Sequence, residues 1–391
     1  MAALDDFRTD VRTWLAANCP PGARGAIDMM EGPEAKNTDM EVWLERCIER
    51  GFTAPAWPKQ YGGGGMEPLK ARVLAQEMAR IRARPPTMGM GLSMIGPTLL
   101  EFGTEEQRQR HLPAIVRGEL RWCQGYSEPG AGSDLAALRT RAEDKGDHFV
   151  INGQKIWTSG AQWADWMFAL VRTDPDVPKH EGISFVLLDM HQAGVKVRPI
   201  RLISGSSPFC ETFFTDAIAK KEDLVGRLNQ GWTVGKRLLQ YERSGQGGLA
   251  GGPRRTAGGS EMTDLAKQYV GVDNGRISDP AVRDTVLRHE IQSKSLALTL
   301  QRTAEENRSG KTMGEATSIF KLISATLGRD GAELRRTLMG TQGIGWDGDS
   351  FEAAQLQAMR AWLSTRAFTI FGGTNEIQLN IIAKRVLALP D

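Results

Sequence analysis

The stretch WCQGYSEPGAGSDLAALRTRAEDKGDHFVINGQKIWTSGAQWADW, residues 122–166, carries the most informative pattern in the chain. Residues 127–134 place three small residues and a proline among four polar ones. This mixture is typical of an irregular turn whose backbone N–H groups approach a ligand closely. A phosphate group or the edge of a heterocyclic ring would suit such a turn. The alternative is a tight connection without a ligand, because a single glycine-rich loop is weak support for binding.

The second half of the stretch predicts a β-hairpin. Residues that favour strands flank Asn152-Gly153, and this pair favours the type I′ turn that matches the twist of a hairpin. The returning strand would deliver Trp157 and Ser159 beside the glycine-rich turn. From composition alone, Trp157 and Trp166 are equally compatible with a place in the core.

The hydrophobic periodicity changes twice along the chain. Residues 1–118 have apolar residues at helical spacing, and Thr104 with Gln107 forms a capping-box pattern. Residues 119–228 contain short β-rich runs, with Pro199 expected at a sheet edge. Residues 229–391 are helical again and predict an antiparallel bundle. The expected strands are 166–171, 182–188, 195–200 and 211–214, and the expected long helices are 280–300, 313–328, 351–365 and one from 375.

Composition excludes several classes of protein. The formal net charge is only +2, which argues against binding to nucleic acid or to an acidic membrane surface. No apolar run reaches the roughly 20 residues of a membrane span. The four cysteines have no CxxC spacing, so neither a metal site nor a disulfide framework is expected. A reducing, cytoplasmic location is the expectation.

Three segments resemble the signatures of one enzyme family. GYSEPGAGSD at 125–134 and KIWTSGAQWADW at 155–166 are similar to the paired flavin-binding signature of the acyl-CoA dehydrogenases, and FGGTNEIQ at 371–378 is similar to their C-terminal signature. The resemblance covers nearly the whole chain in the family's order and spacing. It implies the family's fold, which has an N-terminal all-α domain (1–118), a middle β-barrel or sandwich domain (119–228) and a C-terminal four-helix bundle (229–391).

The resemblance also implies FAD as the cofactor and assigns positions to it. Trp157 matches the tryptophan that flanks the flavin ring, and Ser159 matches the hydroxyl residue beside flavin N5. Ser133 matches a serine near the pantetheine and phosphates of acyl-CoA. The remaining matches are Tyr126 and Ser127 at the pyrimidine side of the ring, and Gly373, Thr374 and Glu376 around the pyrophosphate and ribose.

Two departures from the family pattern bear on the chemistry. No arginine that would contact the flavin adenine has a clean match in residues 283–292. Many members carry their catalytic glutamate immediately before Gly-Thr in the C-terminal signature, where this chain has Gly372. In the isovaleryl-type and long-chain-type branches the base is instead a glutamate immediately before an arginine at the start of the bundle. Glu242-Arg243 matches that place, so Glu242 is the expected base and Arg243 an expected substrate-binding residue.

The implied function is α,β-dehydrogenation of an acyl-CoA thioester to a trans-2-enoyl-CoA, with electrons passed to an electron-transferring flavoprotein. The expected assembly is a homotetramer, or a heterotetramer with a homologous subunit. One alternative is a non-catalytic subunit that completes a partner's flavin site, although such a subunit has no reason to keep Glu242. Another is an oxidase or hydroxylase-like relative. Gly372, Gly245 and the glycines after it remove bulk, which suggests a branched, cyclic or wide acyl group.

Overall fold

The computed structural model of the chain describes residues 2–25, 38–249, 255–256, 259–308 and 317–390, with only the backbone given for residues 242–249, 255–256, 259–260, 304–305 and 307–308. The chain forms two compact units. The first unit comprises Met1–Arg201 and Ser206–Leu238, and the second comprises Leu202–Gly205 and Leu239–Asp391. Helices precede a central sheet and further helices follow it, so the predicted fold class is confirmed. The residue boundaries proposed for three domains remain predictions.

Helices fill the first part of the first unit. Amphipathic periodicity buries one face of each of the first three helices in a shared apolar cluster that includes Leu15, Trp43 and Leu74. The predicted capping box is confirmed, because Thr104 Oγ1 accepts from Gln107 N at 3.3 Å and Gln107 Oε1 accepts from Thr104 N at 3.1 Å. The helices are α1 Ala2–Asn18, α2 Thr38–Arg50, α3 Pro68–Arg80, α4 Gly96–Phe102 and α5 Glu105–Val116.

A single eight-stranded sheet forms the rest of the first unit. Its order is β6-β7-β3-β2-β4-β5-β8, with β1 parallel to β4. β4 and β5 coincide with apolar runs predicted as strands, and both of their faces are buried. Pro199 lies on the edge strand β6, as expected. The strands are β1 Trp122–Gly125, β2 Arg141–Asp144, β3 His148–Ile156, β4 Trp166–Arg172, β5 Ile183–Asp189, β6 Val195–Ile200, β7 Phe209–Lys220 and β8 Leu224–Val225.

Asn152-Gly153 lies inside strand β3, so the predicted hairpin is wrong. β3 pairs with β7 along its length, and the register shifts between Ile151 and Gly153, which is a β-bulge. Asn152 exchanges two hydrogen bonds of 2.9 Å with Asp216 on β7. Gly153 has φ +149°, and a Cβ there would lie 2.7 Å from the backbone of Thr140. The long-range partner therefore keeps the Asn-Gly pair extended where local propensity favours a turn.

The second unit is mainly helical. The helix predicted from 280 is longer than expected, and the helix predicted over 313–328 extends to Leu338, with its first four predicted residues outside the described chain. Helix α7 has no predicted counterpart. The elements are α6 Gly231–Leu249, which begins in the first unit, β9 Arg255–Thr256, β10 Gly259–Ser260, α7 Glu261–Val270, β11 Val272–Asp273, β12 Arg276–Ile277, α8 Pro280–Arg308, α9 Thr317–Leu338, α10 Ala353–Thr365 and α11 Asn375–Ile381.

Two properties apply to the described residues as a whole. None of their helices combines the length and the apolar character that crossing a membrane requires. Cys19, Cys47, Cys123 and Cys210 are all buried and free.

Candidate active site

The glycine-rich turn follows β1 and folds back on itself. Glu128 N donates to Ala131 O and Ala131 N donates to Glu128 O, each at 3.0 Å. This pair closes the turn between the sheet and the short 3₁₀ helix Leu135–Ala137. Ser127 is half-buried, whereas Ser133 near the far end of the turn is exposed. The turn thus presents Ser133, the position expected to meet acyl-CoA, to solvent.

The fold of the chain does not require glycine at positions 130 and 132. Both residues have φ outside the left-handed region, so other residues could adopt the same backbone. A Cβ built at either position meets no atom within 4 Å. The absence of side chains therefore leaves the outer side of the turn open, as a closely approaching ligand would require.

Trp157 stands in an uncommon conformation immediately after β3. Its φ is +61°, and the residue is 53% exposed, which rules out the alternative of a place in the core. A left-handed backbone at a bulky residue costs about 1–3 kcal/mol and is found mainly where the surroundings impose it. Thr158 supplies that constraint, because its backbone N and its Oγ1 both donate to Cys210 O at 3.0 Å. The fold holds an exposed indole beside the turn.

The other positions expected at the flavin ring lie close to Trp157 in the chain fold. Ile156 N donates to Ser127 O at 2.9 Å, which joins the end of β3 to the turn. Ser159 is half-buried just beyond Trp157. The ring of Tyr126 is buried edge-on against Phe168 and other core aromatics, so this residue can serve a ligand only through its backbone.

A buried ion pair, absent from the sequence-based site, lies beneath the turn. Lys155 Nζ lies 2.8 Å from Glu128 Oε1 and 3.1 Å from Tyr126 O, and the lysine is fully buried. Glu128 also accepts from the backbone N of Arg139 and Thr140 at 2.7 and 2.9 Å. Nothing local in the sequence identifies Glu128 as the partner of Lys155.

Burial and ion pairing shift the pKa values of Lys155 and Glu128 in opposite directions. Burial lowers the pKa of Lys155 to about 8, although the Glu128 carboxylate opposes that shift. Burial alone would raise the pKa of Glu128, but Lys155 and the two backbone donors bring that pKa below its ordinary value. At neutral pH the pair is therefore an ammonium and a carboxylate.

The C-terminal signature forms a second group of expected residues, within the second unit. Gly372 and Gly373 have φ of +65° and +89°, and Thr374 caps helix α11 by accepting from Ile377 N. Gln378 is buried and donates to the carbonyls of both glycines, at 3.2 and 3.3 Å. Glu376 is exposed, and hydrogen bonds from its own backbone N–H and from Thr374 lower its pKa. The left-handed backbone explains why glycine occupies position 372.

Glu242 and Arg243 lie on helix α6, but their side chains are outside the described residues. The helix continues through the glycines that follow, up to Leu249, so these glycines do not end it. The role of Glu242 as the base therefore stays a prediction.

The residues of the turn and of the end of β3 fit a flavin. An open backbone at Gly130 and Gly132 and an exposed indole at Trp157 are what a flat ring with a polar edge requires. Among the described residues, no group of His, Cys, Asp and Glu is arranged to hold a metal ion.

Known proteins match the chain over nearly its whole length. Residues 2–119, 123–217 and 229–387 match the N-terminal, middle and C-terminal domains of acyl-CoA dehydrogenase. The chain is 36% identical to acyl-CoA dehydrogenase IpdE1 of Mycolicibacterium smegmatis, over 100% of this chain and 99% of that protein. It is 38% identical to IpdE1 of Mycobacterium tuberculosis, with the same coverage.

Solved structures show the same similarity. The chain superposes on a chain of the Tcur3481-Tcur3483 steroid ACAD with a TM-score of 0.80 and 29% identity, covering 100% of this chain and 98% of that one. The ChsE4-ChsE5 complex from Mycobacterium tuberculosis gives a TM-score of 0.73 and 27% identity, with coverage of 100% and 98%. The chain therefore belongs to the acyl-CoA dehydrogenase family.

Proposed function

We propose that this protein is an FAD-dependent acyl-CoA dehydrogenase that oxidises the α,β bond of an acyl-CoA thioester to a trans-2-enoyl-CoA. The observation that carries the proposal is the exposed, left-handed Trp157 at the end of β3, which the Ile156 N–Ser127 O bond joins to the turn with its open backbone at Gly130 and Gly132. A bound flavin would supply the acceptor for the hydride of the β-carbon and a route for the two electrons to an electron-transferring flavoprotein.

Residues of each unit would bind a different part of the cofactor. In the first unit, Trp157 and Ser159 would lie against the ring, Tyr126 and Ser127 would bind its pyrimidine side, and Ser133 would meet the thioester ligand. In the second unit, Gly373, Thr374 and Glu376 would bind the pyrophosphate and ribose. In the family the second group serves a neighbouring subunit, so a complete site requires an assembly.

Proton removal is assigned to Glu242. The α-proton of a thioester is weakly acidic, so its removal needs a carboxylate held at hydrogen-bond distance in a site that excludes water. Gly372 has no side chain to supply one. Glu242 occupies the alternative family position, and Arg243 beside it is assigned to the substrate side of the site.

A wide, ring-bearing acyl group is the proposed substrate class. The relative with the highest TM-score given above is described as a steroid ACAD. Gly372 lacks bulk where other family members place a glutamate, and the helix that carries Glu242 has Gly245, Gly247 and Gly248 beyond it. Small residues at both places would leave room for a group wider than a straight chain.

We further propose that the chain assembles as a tetramer, with a homologous subunit as the favoured partner. Two structurally similar proteins are described by pairs of components, Tcur3481-Tcur3483 and ChsE4-ChsE5. Helix α8 exposes apolar side chains at Leu287, Ile291 and Leu298, a spacing that places them along one side of the helix. Such a stripe is suited to burial against another subunit.

The same component pairs support a second candidate function, that of a non-catalytic subunit. In that case the chain would bind flavin only with its partner and would not itself remove the α-proton. The test is a visible spectrum of the protein, purified alone and with a co-expressed homologue, during titration with straight-chain, branched and steroid-derived acyl-CoAs. Bleaching of the oxidised flavin band at about 450 nm supports the dehydrogenase function. A protein that holds no FAD in either form overturns the proposal.

A further inference from the structure

We propose that Lys155 is a positioning residue, which fixes the glycine-rich turn against the strand end that carries Trp157 and so sets the geometry of the flavin site. This inference rests on the flavin site proposed above. It concerns a lysine and a glutamate that carry none of the binding or proton-transfer roles assigned so far. In the following paragraphs, the buried contacts among Lys155, Glu128 and the carbonyl of Tyr126 are called the clamp.

The clamp joins two segments that are far apart in the chain. Lys155 lies on β3, and its ammonium bonds to Glu128 Oε1 at 2.8 Å and to Tyr126 O at 3.1 Å. Both acceptors belong to the chain immediately after β1. The Ile156 N to Ser127 O bond of 2.9 Å lies next to these contacts. Three adjacent donor–acceptor pairs therefore set the distance between the turn and the end of β3.

Glu128 extends the clamp to the far side of the turn. Its two carboxylate oxygens accept from the backbone N of Arg139 and of Thr140, just before β2. The open backbone of Gly130 and Gly132 lies between the two anchored ends of this segment. Because a Cβ at either glycine would meet no neighbouring atom, the turn is held by the backbone pair of Glu128 with Ala131 and by these side-chain bonds of Glu128.

The position of Lys155 in β3 connects the clamp to Trp157. Strand β3 ends at Ile156, so its backbone pairing with β7 does not include Trp157. The left-handed backbone at Trp157 is held on one side by Thr158, through its bonds to Cys210 O, and on the other by Ile156, which pairs with Glu211 on β7. Loss of the clamp would leave this pairing in place but would loosen the turn from the end of β3, so the indole and the turn could move apart.

The charges around the ammonium are few. Glu128 faces it from the turn and Arg172 from β4, and burial with these two groups sets the lysine's pKa at about 8. Arg172 is itself held by the carbonyls of Ala136, Leu138 and Lys179. Asp174 also acts on Arg172, whereas Glu128 is the carboxylate that faces Lys155, so removal of Glu128 alone leaves the buried ammonium without its counter-ion.

A set of variants distinguishes a positioning role of Lys155 and Glu128 from a purely structural one. Lys155→Met and Glu128→Gln each leave a buried charge unpaired, so each should lower the melting temperature. Glu128→Gln/Lys155→Met removes both charges and should recover most of that loss. If Lys155 positions the flavin, the double variant should still release FAD at least about tenfold faster than the wild type, because the bond to Tyr126 O is absent. Its bound flavin should also show an altered visible circular dichroism spectrum.

The measurement is the rate of FAD release from the holoprotein, in the assembly in which the wild type is purified, followed by flavin fluorescence. Asp223→Asn is the matched control, because Asp223 is a buried carboxylate paired with Arg110 elsewhere in the same unit. It should lower the melting temperature and leave FAD release and the flavin spectrum unchanged. If Lys155→Met does not fold, the double variant carries the comparison.

A double variant with wild-type FAD release and a wild-type spectrum overturns the inference and leaves the pair with a purely structural role. That result differs from failure of the proposed function, in which the wild type itself binds no FAD.

Discussion

The indole of Trp157 meets the ring of Phe209 edge to face, with the ring centroids 6.1 Å apart and the ring planes 86° apart. The contact orients the indole while leaving the residue 53% exposed. The backbone at Trp157 is left-handed, so the fold accepts strain in order to hold an aromatic surface toward solvent. This arrangement contributes little to the core and suits the flat ligand proposed above.

Replacing Trp157 separates its effect on flavin from its effect on stability. Trp157→Ala and Trp157→Gly should both raise the dissociation constant for FAD about fivefold or more, because each loses a stacking contact of about 1 kcal/mol. Only glycine relieves the left-handed backbone, so Trp157→Gly should be about 1 kcal/mol more stable than Trp157→Ala. Chemical denaturation and FAD titration provide the two measurements.

Ile218→Ala is the control for that pair, because it removes an exposed apolar side chain from strand β7 of the same sheet. It should leave FAD affinity unchanged. Wild-type FAD affinity in both Trp157 variants would contradict the stacking role.

Alanine in place of either glycine of the turn should leave the stability of the protein intact but weaken ligand binding. Gly130→Ala and Gly132→Ala meet no neighbouring atom and need no unusual φ, so their free energies of unfolding should stay equal or rise by a few tenths of a kcal/mol. Affinity for FAD or acyl-CoA should fall, since the new methyl group occupies the open side. Gly153→Ala is the contrast, because its Cβ would strike Thr140 and should destabilise the protein. Unchanged affinities for both ligands in both turn variants would show that no ligand approaches there.

Stability should depend on pH through Lys155. Burial depresses its pKa from 10.5 to about 8, so between these values the unfolded chain holds a proton that the folded chain has lost. Raising the pH through this window therefore favours the folded state. Relative to Lys155→Met, the wild type should gain up to about 3 kcal/mol in unfolding free energy between pH 8 and 10.5. Urea denaturation of both proteins across that range measures the difference, and parallel curves would contradict the lowered pKa.

Local patterns predicted much of this fold. Helical periodicity and the Thr104 cap located the early helices, and β-rich runs located β4, β5 and β6. Asn152-Gly153 was predicted wrongly because its outcome depends on Asp216, 64 residues further along the chain. The same limit applies at the site. The motif singles out Trp157 as a candidate, but the bond between Lys155 and Glu128 depends on a fold that brings residues 27 positions apart together.

Position 372 shows how structure refines a prediction drawn from sequence. The sequence indicates only that no carboxylate is present there, and it suggests Gly372→Glu as a way to supply one. The backbone at Gly372 has φ +65°, so any side chain there costs about 1–2 kcal/mol of strain. A glutamate introduced at this position should therefore lower the melting temperature, and any activity it restores should remain well below that of the wild type.

The decisive variant for the proposed chemistry is Glu242→Gln. The amide keeps the shape of the side chain and removes its basicity, so FAD and acyl-CoA should bind nearly as in the wild type. Flavin reduction by a verified substrate should slow at least about 10³-fold, in line with the loss of a general base. Stopped-flow absorbance of the flavin band measures the reduction rate directly and separates it from binding.

Glu290→Gln is the matched control, since Glu290 lies on helix α8 and accepts from Thr263 at 2.7 Å without a proposed role in the reaction. It should reduce flavin at the wild-type rate. If Glu242→Gln also does so, the base lies elsewhere, and a carboxylate of a partner subunit becomes the candidate. Since Gly372 has no carboxylate, that result would favour the non-catalytic subunit. The variant thus distinguishes two functions that share one fold and one flavin-binding turn.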